Sequence, residues 1–91
     1  MIEFTPWAVE VLARAHHAAT RLNPDARLRL SQRGGVMGSA LTDRPMEGDA
    51  EARVGEITVF VAADVDGLVD VEVPHDRLVL RPAGSAPNPR G

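Results

Sequence analysis

The chain has 91 residues, a formal net charge of −3, 44 % hydrophobic residues, ten basic residues that are all arginine, and no cysteine. That length fits one domain with a modest core, burying roughly 60–65 % of its unfolded surface, and the apolar content is that of a folded globule. The charge balance gives no electrostatic footprint for nucleic acid, no apolar run approaches the roughly 18 residues of a membrane span, and neither disulfides nor thiolate metal sites are available.

At the N-terminus, Met1-Ile2-Glu3 lacks a basic region followed by an apolar stretch, so no signal peptide is expected and the cytoplasm is the expected location. Phe4-Thr5-Pro6 is a helix start: Thr5 caps, and Pro6 at the first helical position gives up no needed donor. Phe4 and Val9 stand at the spacing of a hydrophobic staple. Val9, Leu12, Ala13, His16 and Ala19 recur at helical spacing, and Trp7, Val11, Ala15, Ala18 and Leu22 widen the apolar stripe. Asn23-Pro24 ends the helix after about Arg21.

Arg27 to Gln32 alternates, placing Leu28 and Leu30 on one side of a strand. Gly34-Gly35 reverses the chain, and Val36 to Thr42 returns as a second strand, where Gly38 marks a bulge or a close backbone approach. Pro45 and Gly48 break a loop from Asp43 to Asp49. Ala50–Val54 and Ile57–Val61 read as a hairpin turning at Gly55, with Ile57, Val59 and Val61 on one face. Ala62 to Asp66 fits one helical turn, stopped by Gly67. Val69, Val71 and Val73 alternate with Asp70 and Glu72, the pattern of a half-buried strand with its acids in solvent. Pro74-His75-Asp76 turns the chain into a last strand carrying Leu78 and Leu80. From Pro82 onward, prolines and glycines without a large apolar anchor predict a flexible tail.

Three of these stretches resemble the HesB/IscA-type proteins, the A-type iron–sulfur carriers. Their loop Asp-Glu-Pro-x-x-Gly-Asp is matched by Asp43-Arg44-Pro45-Met46-Glu47-Gly48-Asp49. Their opening Leu/Ile-Thr-x-x-Ala is matched, with one conservative change, by Phe4-Thr5-Pro6-Trp7-Ala8. Their bend Gly-Gly-Cys-x-Gly reads Gly34-Gly35-Val36-Met37-Gly38 here, with Val36 in the place of the cluster-binding cysteine. Asp66-Gly67 resembles a further family pair, after a helix about a turn shorter. Pro82 falls where the family has Asn-Pro-Asn, and Ala83-Gly84-Ser85-Ala86 stands near the place of its Cys-Gly-Cys motif. The resemblance spans about Phe4 to Pro82, implies the family's fold and removes its ligands.

An iron–sulfur cluster needs thiolates, so no cofactor is expected, and Met37 reads as a packing residue. His16 and His17 point about 100° apart on a helix and lack the spacing of a metal site, leaving only a pairing of His16 with His75 across the fold. Asp64, Asp66, Asp70, Glu72 and Asp76 form an acidic stretch without calcium-loop spacing. Arg33-Gly34-Gly35 is a single copy, the glycines open no phosphate loop, and no serine shows a histidine–carboxylate partner, so an enzyme is not expected.

The expected fold is α+β: an N-terminal helix on a small, mostly antiparallel β-sandwich or half-barrel of about six strands, with residues 1–82 the domain and 83–91 the tail. The expected function is non-catalytic, a cysteine-less HesB/IscA-like protein-binding or assembly module. The alternative is a vestigial accessory of iron–sulfur or metal handling that borrows its partner's ligands. The expected contact site is the bend Gly34, Gly35, Val36, Met37 and Gly38. Its partner would be another protein or a second copy of the chain, with no nucleic acid and no membrane.

Overall fold

A computed structural model describes residues 2–34, 36–73 and 77–86. In chain order its elements are β1 (Ile2–Phe4), α1 (Pro6–Leu22), β2 (Arg27–Arg33), β3 (Val36–Thr42), β4 (Ala50–Val54), β5 (Ile57–Val61), β6 (Gly67–Glu72) and β7 (Arg77–Arg81). The expected turn at Pro74-His75-Asp76, position 35 of the bend and tail residues 87–91 lie outside the described residues.

The helix starts as its sequence predicts. Thr5 is the N-cap, its Oγ1 accepting a hydrogen bond from the Ala8 amide at 3.1 Å, and Pro6 opens the first turn. Asn23 closes the other end, donating its amide to the Ala19 carbonyl at 3.0 Å. Trp7, Ala8, Leu12 and Ala19 are buried. Ala18 and Leu22, expected to widen the buried stripe, are exposed. Phe4 belongs to β1, a strand that the helix-start reading hid; three residues are too few for a periodic pattern.

The strands form two sheets, one ordered β1-β6-β7 and one ordered β3-β2-β5-β4. The pairings β2–β3, β4–β5 and β6–β7 are antiparallel, in keeping with the hairpin signals. However, β1–β6 and β2–β5 are parallel, so both sheets are mixed. A parallel pair needs a long crossover. Sixty-odd residues separate β1 from β6, and such distant partners leave no local mark in a sequence. One buried cluster joins α1 to both sheets through Leu12, Leu30, Val59, Val69 and Val71.

Three local expectations change. Residues 62–66 make no helical turn; the Val65 amide closes a tight turn on the Ala62 carbonyl at 3.0 Å, and Gly67 begins β6 with φ +116°. Gly38 marks no bulge, since Ser31↔Gly38 sits in an unbroken register and an added Cβ would find Ser31 Oγ at an ordinary 3.9 Å. Most consequentially, β6 is buried on both faces. Val69, Val71 and Asp70 are all 0 % exposed, while Val73 lies past the strand end in solvent. Beyond β7, Pro82–Ser85 forms a turn closed by the Ser85 amide on the Pro82 carbonyl at 3.1 Å.

Candidate functional site

The bend lies at the tip of the β2–β3 hairpin. Arg33 pairs with Val36, leaving two residues for the reversal, and Gly34 supplies a φ of +59°. Beyond it the two apolar residues part company. Met37 is 8 % exposed and joins the core, whereas Val36 is 67 % exposed. Alternation explains the split, because adjacent strand residues point to opposite faces and only the face carrying Leu28 and Leu30 meets the core. Beside Val36 an open depression of about 660 Å³ is lined by Arg29, Ser31, Arg33 and Gly38.

Arg29, at the far side of that depression, is already engaged. Its Nε and Nη2 donate to the two carboxylate oxygens of Asp49 at 2.8 and 2.9 Å. Asp49 Oδ2 also accepts the Met46 amide at 2.9 Å, and the Asp49 side chain is fully buried. The loop from Asp43 thus closes against the outer face of β2 through its last residue. Arg29's hydrogen bonds, helped by the Met46 amide and opposed by burial, hold the Asp49 carboxyl below the usual aspartate range. A depressed carboxyl stabilises the fold fully above its unfolded pKa of about 3.9 and loses that contribution as pH falls through the lower folded value. We therefore expect the melting-temperature gap between wild type and Asp49→Asn to be constant near neutrality and to shrink as pH falls below about 3.9. Thermal melts from neutrality to strong acid check this; a gap that stays constant would mean that the charge of the pair adds nothing.

The acidic stretch does not act as one. Asp64 lends its backbone carbonyl to Gln32 Nε2 at 2.7 Å, and Asp70 is buried instead of solvated. Asp70 Oδ1 accepts from Thr5 Oγ1 at 3.0 Å and from the Val71 amide at 2.8 Å. Asp70 Oδ2 accepts Arg81 Nε at 3.0 Å, and Arg81 Nη2 continues to Glu72 Oε2 at 3.1 Å. Arg81 and Asp70 are diagonal cross-strand neighbours, since Asp70 faces Val79 directly and a long side chain spans that diagonal. The valine alternation that suggested a solvated acid is real, but the opposite face is roofed by Arg81 and by Thr5 at the head of α1.

Of the three histidines, the structure describes His16 and His17. The His16 and His17 rings meet edge to face, with centroids 5.9 Å apart. His16 Nδ1 is buried without a hydrogen-bond partner, and burial first, then Arg27 and His17, push the imidazole below its ordinary pKa. His75 lies outside the described residues, among which no three His, Asp or Glu side chains are grouped to hold a metal ion. Nor, among those residues, is any helix long and apolar enough to cross a membrane.

Sequence reasoning missed one feature entirely. The last turns of α1 and strand β3 enclose an apolar groove of about 350 Å³, lined by Ala15, Ala18, Leu22, Leu28 and Leu41 among others. Leu22 is 90 % and Leu41 61 % exposed. Helical periodicity marked Leu22 as apolar-facing, but nothing local says that the sheet stops short of it. No family model, curated protein or solved structure matches this chain.

Proposed function

We propose that the chain is a non-catalytic protein-binding module with a HesB/IscA-like fold and no cluster ligands, and that its contact surface centres on the bend at positions 34–38. The observation that carries this reading is Val36. It stands where the resembling carriers present a cysteine, and it is held outward at 67 % exposure with a branched apolar side chain. An apolar side chain gains nothing from water, and covering it is favourable by about 25 cal/mol per Å² buried. The α+β architecture, the capped opening helix and the anchored loop ending at Asp49 are consistent with the motifs that suggested the resemblance.

The two bend residues separate contact from packing. Met37→Ser removes a buried side chain worth roughly 1.5–3 kcal/mol and should lower the melting temperature clearly. Val36→Ser should leave it unchanged. Val36→Asp should then weaken retention of partner proteins from the source cells while melting like wild type. Equal retention by wild type and Val36→Asp would overturn the reading. Anaerobic reconstitution of the isolated chain with iron and sulfide should leave its visible spectrum flat, for want of thiolates. A charge-transfer band that forms only when a cysteine-bearing partner is added would favour the accessory role with borrowed ligands.

A further inference from the structure

We infer that the depression beside Val36 is a carboxylate-docking subsite, and that the segment covering Val36 belongs to a protein partner that sets an aspartate or glutamate on Arg33 and Ser31 and an apolar side chain on Val36.

Gly38 carries the first part of the argument. A glycine inside a strand weakens it and marks a bulge, a bend, or a close approach by a ligand or another backbone. Neither a bulge nor a bend is present: Ser31↔Gly38 sits in unbroken register, and Gly38 is not among the glycines with positive φ. No neighbour requires the missing side chain either, since an added Cβ would meet only Ser31 Oγ, at 3.9 Å. Gly38 is also exposed. Approach from outside is the remaining reason, and Gly38 is the bare floor of the depression of about 660 Å³.

The walls supply the chemistry. Arg29, Ser31 and Arg33 stand at alternate positions of β2 and so share one face. Ser31 and Arg33 pair with Gly38 and Val36 on β3, and directly opposed residues face the same way. A guanidinium, a hydroxyl, a glycine and a valine are therefore presented together on the outer side of the sheet. Most described arginines are engaged: Arg29, Arg44 and Arg81 by carboxylates, Arg27 and Arg53 by backbone carbonyls. Exposed Arg33 and the Ser31 hydroxyl hold no partner among the described residues. Among those residues no acid lines the depression. Asp49 is engaged by Arg29, and Asp64, whose charge also reaches Arg29, lies outside the lining.

A free cation beside a free hydroxyl donor suits an oxyanion, and a planar guanidinium takes a carboxylate through two parallel hydrogen bonds. Phosphate would satisfy the donors but brings no apolar group for Val36. A protein segment brings both, and a glycine floor lets its backbone come close. This inference rests on the reading of Val36 as a contact residue and names the chemistry of what contacts it.

The test is a titration followed by amide NMR, with acetyl-Leu-Glu-Leu-amide and acetyl-Leu-Gln-Leu-amide as probes. The glutamate peptide should shift the Ser31, Arg33 and Gly38 amides saturably. The glutamine peptide should bind about tenfold more weakly, the lower end for losing a hydrogen bond to a charged group. Arg33→Gln should bring the glutamate peptide down to the glutamine level. Gly38→Val, which raises strand preference in open space, should melt at or above the wild-type temperature and yet lose the shifts; a purely structural glycine would show the reverse. Equal binding of the two peptides overturns the inference. So does a glutamate peptide that shifts no amide of the depression, or one whose shifts survive in either variant. Inorganic phosphate binding as tightly as the glutamate peptide would make the depression a general anion site and would also overturn it. The two readings fail separately. If Val36→Asp loses partner retention while Arg33→Gln and Gly38→Val keep it, the contact surface stands and this subsite falls. If wild type and Val36→Asp retain partners equally while the peptides bind as expected, the proposed function falls and the carboxylate subsite stands.

Discussion

Gly67→Ala is expected to cost about 4 kcal/mol, the middle of two added penalties, and so to lower the melting temperature by about 16–32 °C at about 4–8 °C per kcal/mol for a domain of this size. Two penalties add at this position. The backbone sits at φ +116°, a conformation that side-chain-bearing residues rarely adopt, at a cost of order 1–3 kcal/mol. A Cβ would also collide with the Arg81 carbonyl oxygen. That atom is backbone, held beside β6 by the Leu68↔Arg81 pairing, so relief requires moving β7. Overpacking of this kind costs typically 1–3 kcal/mol or more. Gly34→Ala is the control: its φ of +59° is strained, yet nothing lies within 4 Å of the added Cβ. Its cost should be about 1 kcal/mol. Equal melting temperatures for the two variants would show that the close approach at Gly67 relaxes freely.

Asp70→Ala should cost about 3 kcal/mol, the lower end of the range for breaking a buried ion pair, or about 12–24 °C in melting temperature. The low end applies because Arg81 keeps Glu72 and its side chain is 28 % accessible to water. The carboxylate joins three parts of the fold: the helix cap at Thr5, the strand that carries it and the strand that carries Arg81. Removing it takes the acceptor from the Thr5 hydroxyl in a dry site, and an unmet buried donor costs about 1–3 kcal/mol. Asp70→Asn, which can still accept from Thr5 while losing its charge toward Arg81, should fall between alanine and wild type. An alanine variant melting within a few degrees of wild type would return Asp70 to the solvated role that the valine alternation suggested.

How much was legible in the sequence follows from the range of each interaction. The cap at Thr5, the Gly34 reversal and the hairpin at Gly55 depend on neighbours a few residues apart, and their signals were read correctly. The inward face of β2 followed from the alternation of Leu28 and Leu30. By contrast, β1, the parallel pairings and the buried state of Asp70 depend on partners 11 to 65 residues away. An aspartate alternating with valines looks the same whether its face meets water or an arginine from the next strand. At the candidate site, Met37 read as a packing residue, yet the expected contact site still grouped it with Val36, and strand alternation separates them. The Arg29–Asp49 pair had a usable signal: an arginine on the polar face of β2 and an aspartate ending the following loop.

The pairing of β6 with both of its neighbours fixes where the chain enters and leaves the fold. Ile2 lies beside Gly67, and Arg81 lies beside Leu68 on the other flank. Entry and exit therefore emerge at the same end of one sheet, separated by two strand spacings, about 10 Å. That gap suits a short peptide bridge. The order of the segments along the polypeptide is then a separate matter from their order in space: the ring could be closed there and opened at the exposed Gly55-Glu56 turn without unpairing a strand. By the same geometry, the whole unit could be spliced into a surface loop of a larger protein without prising that loop apart.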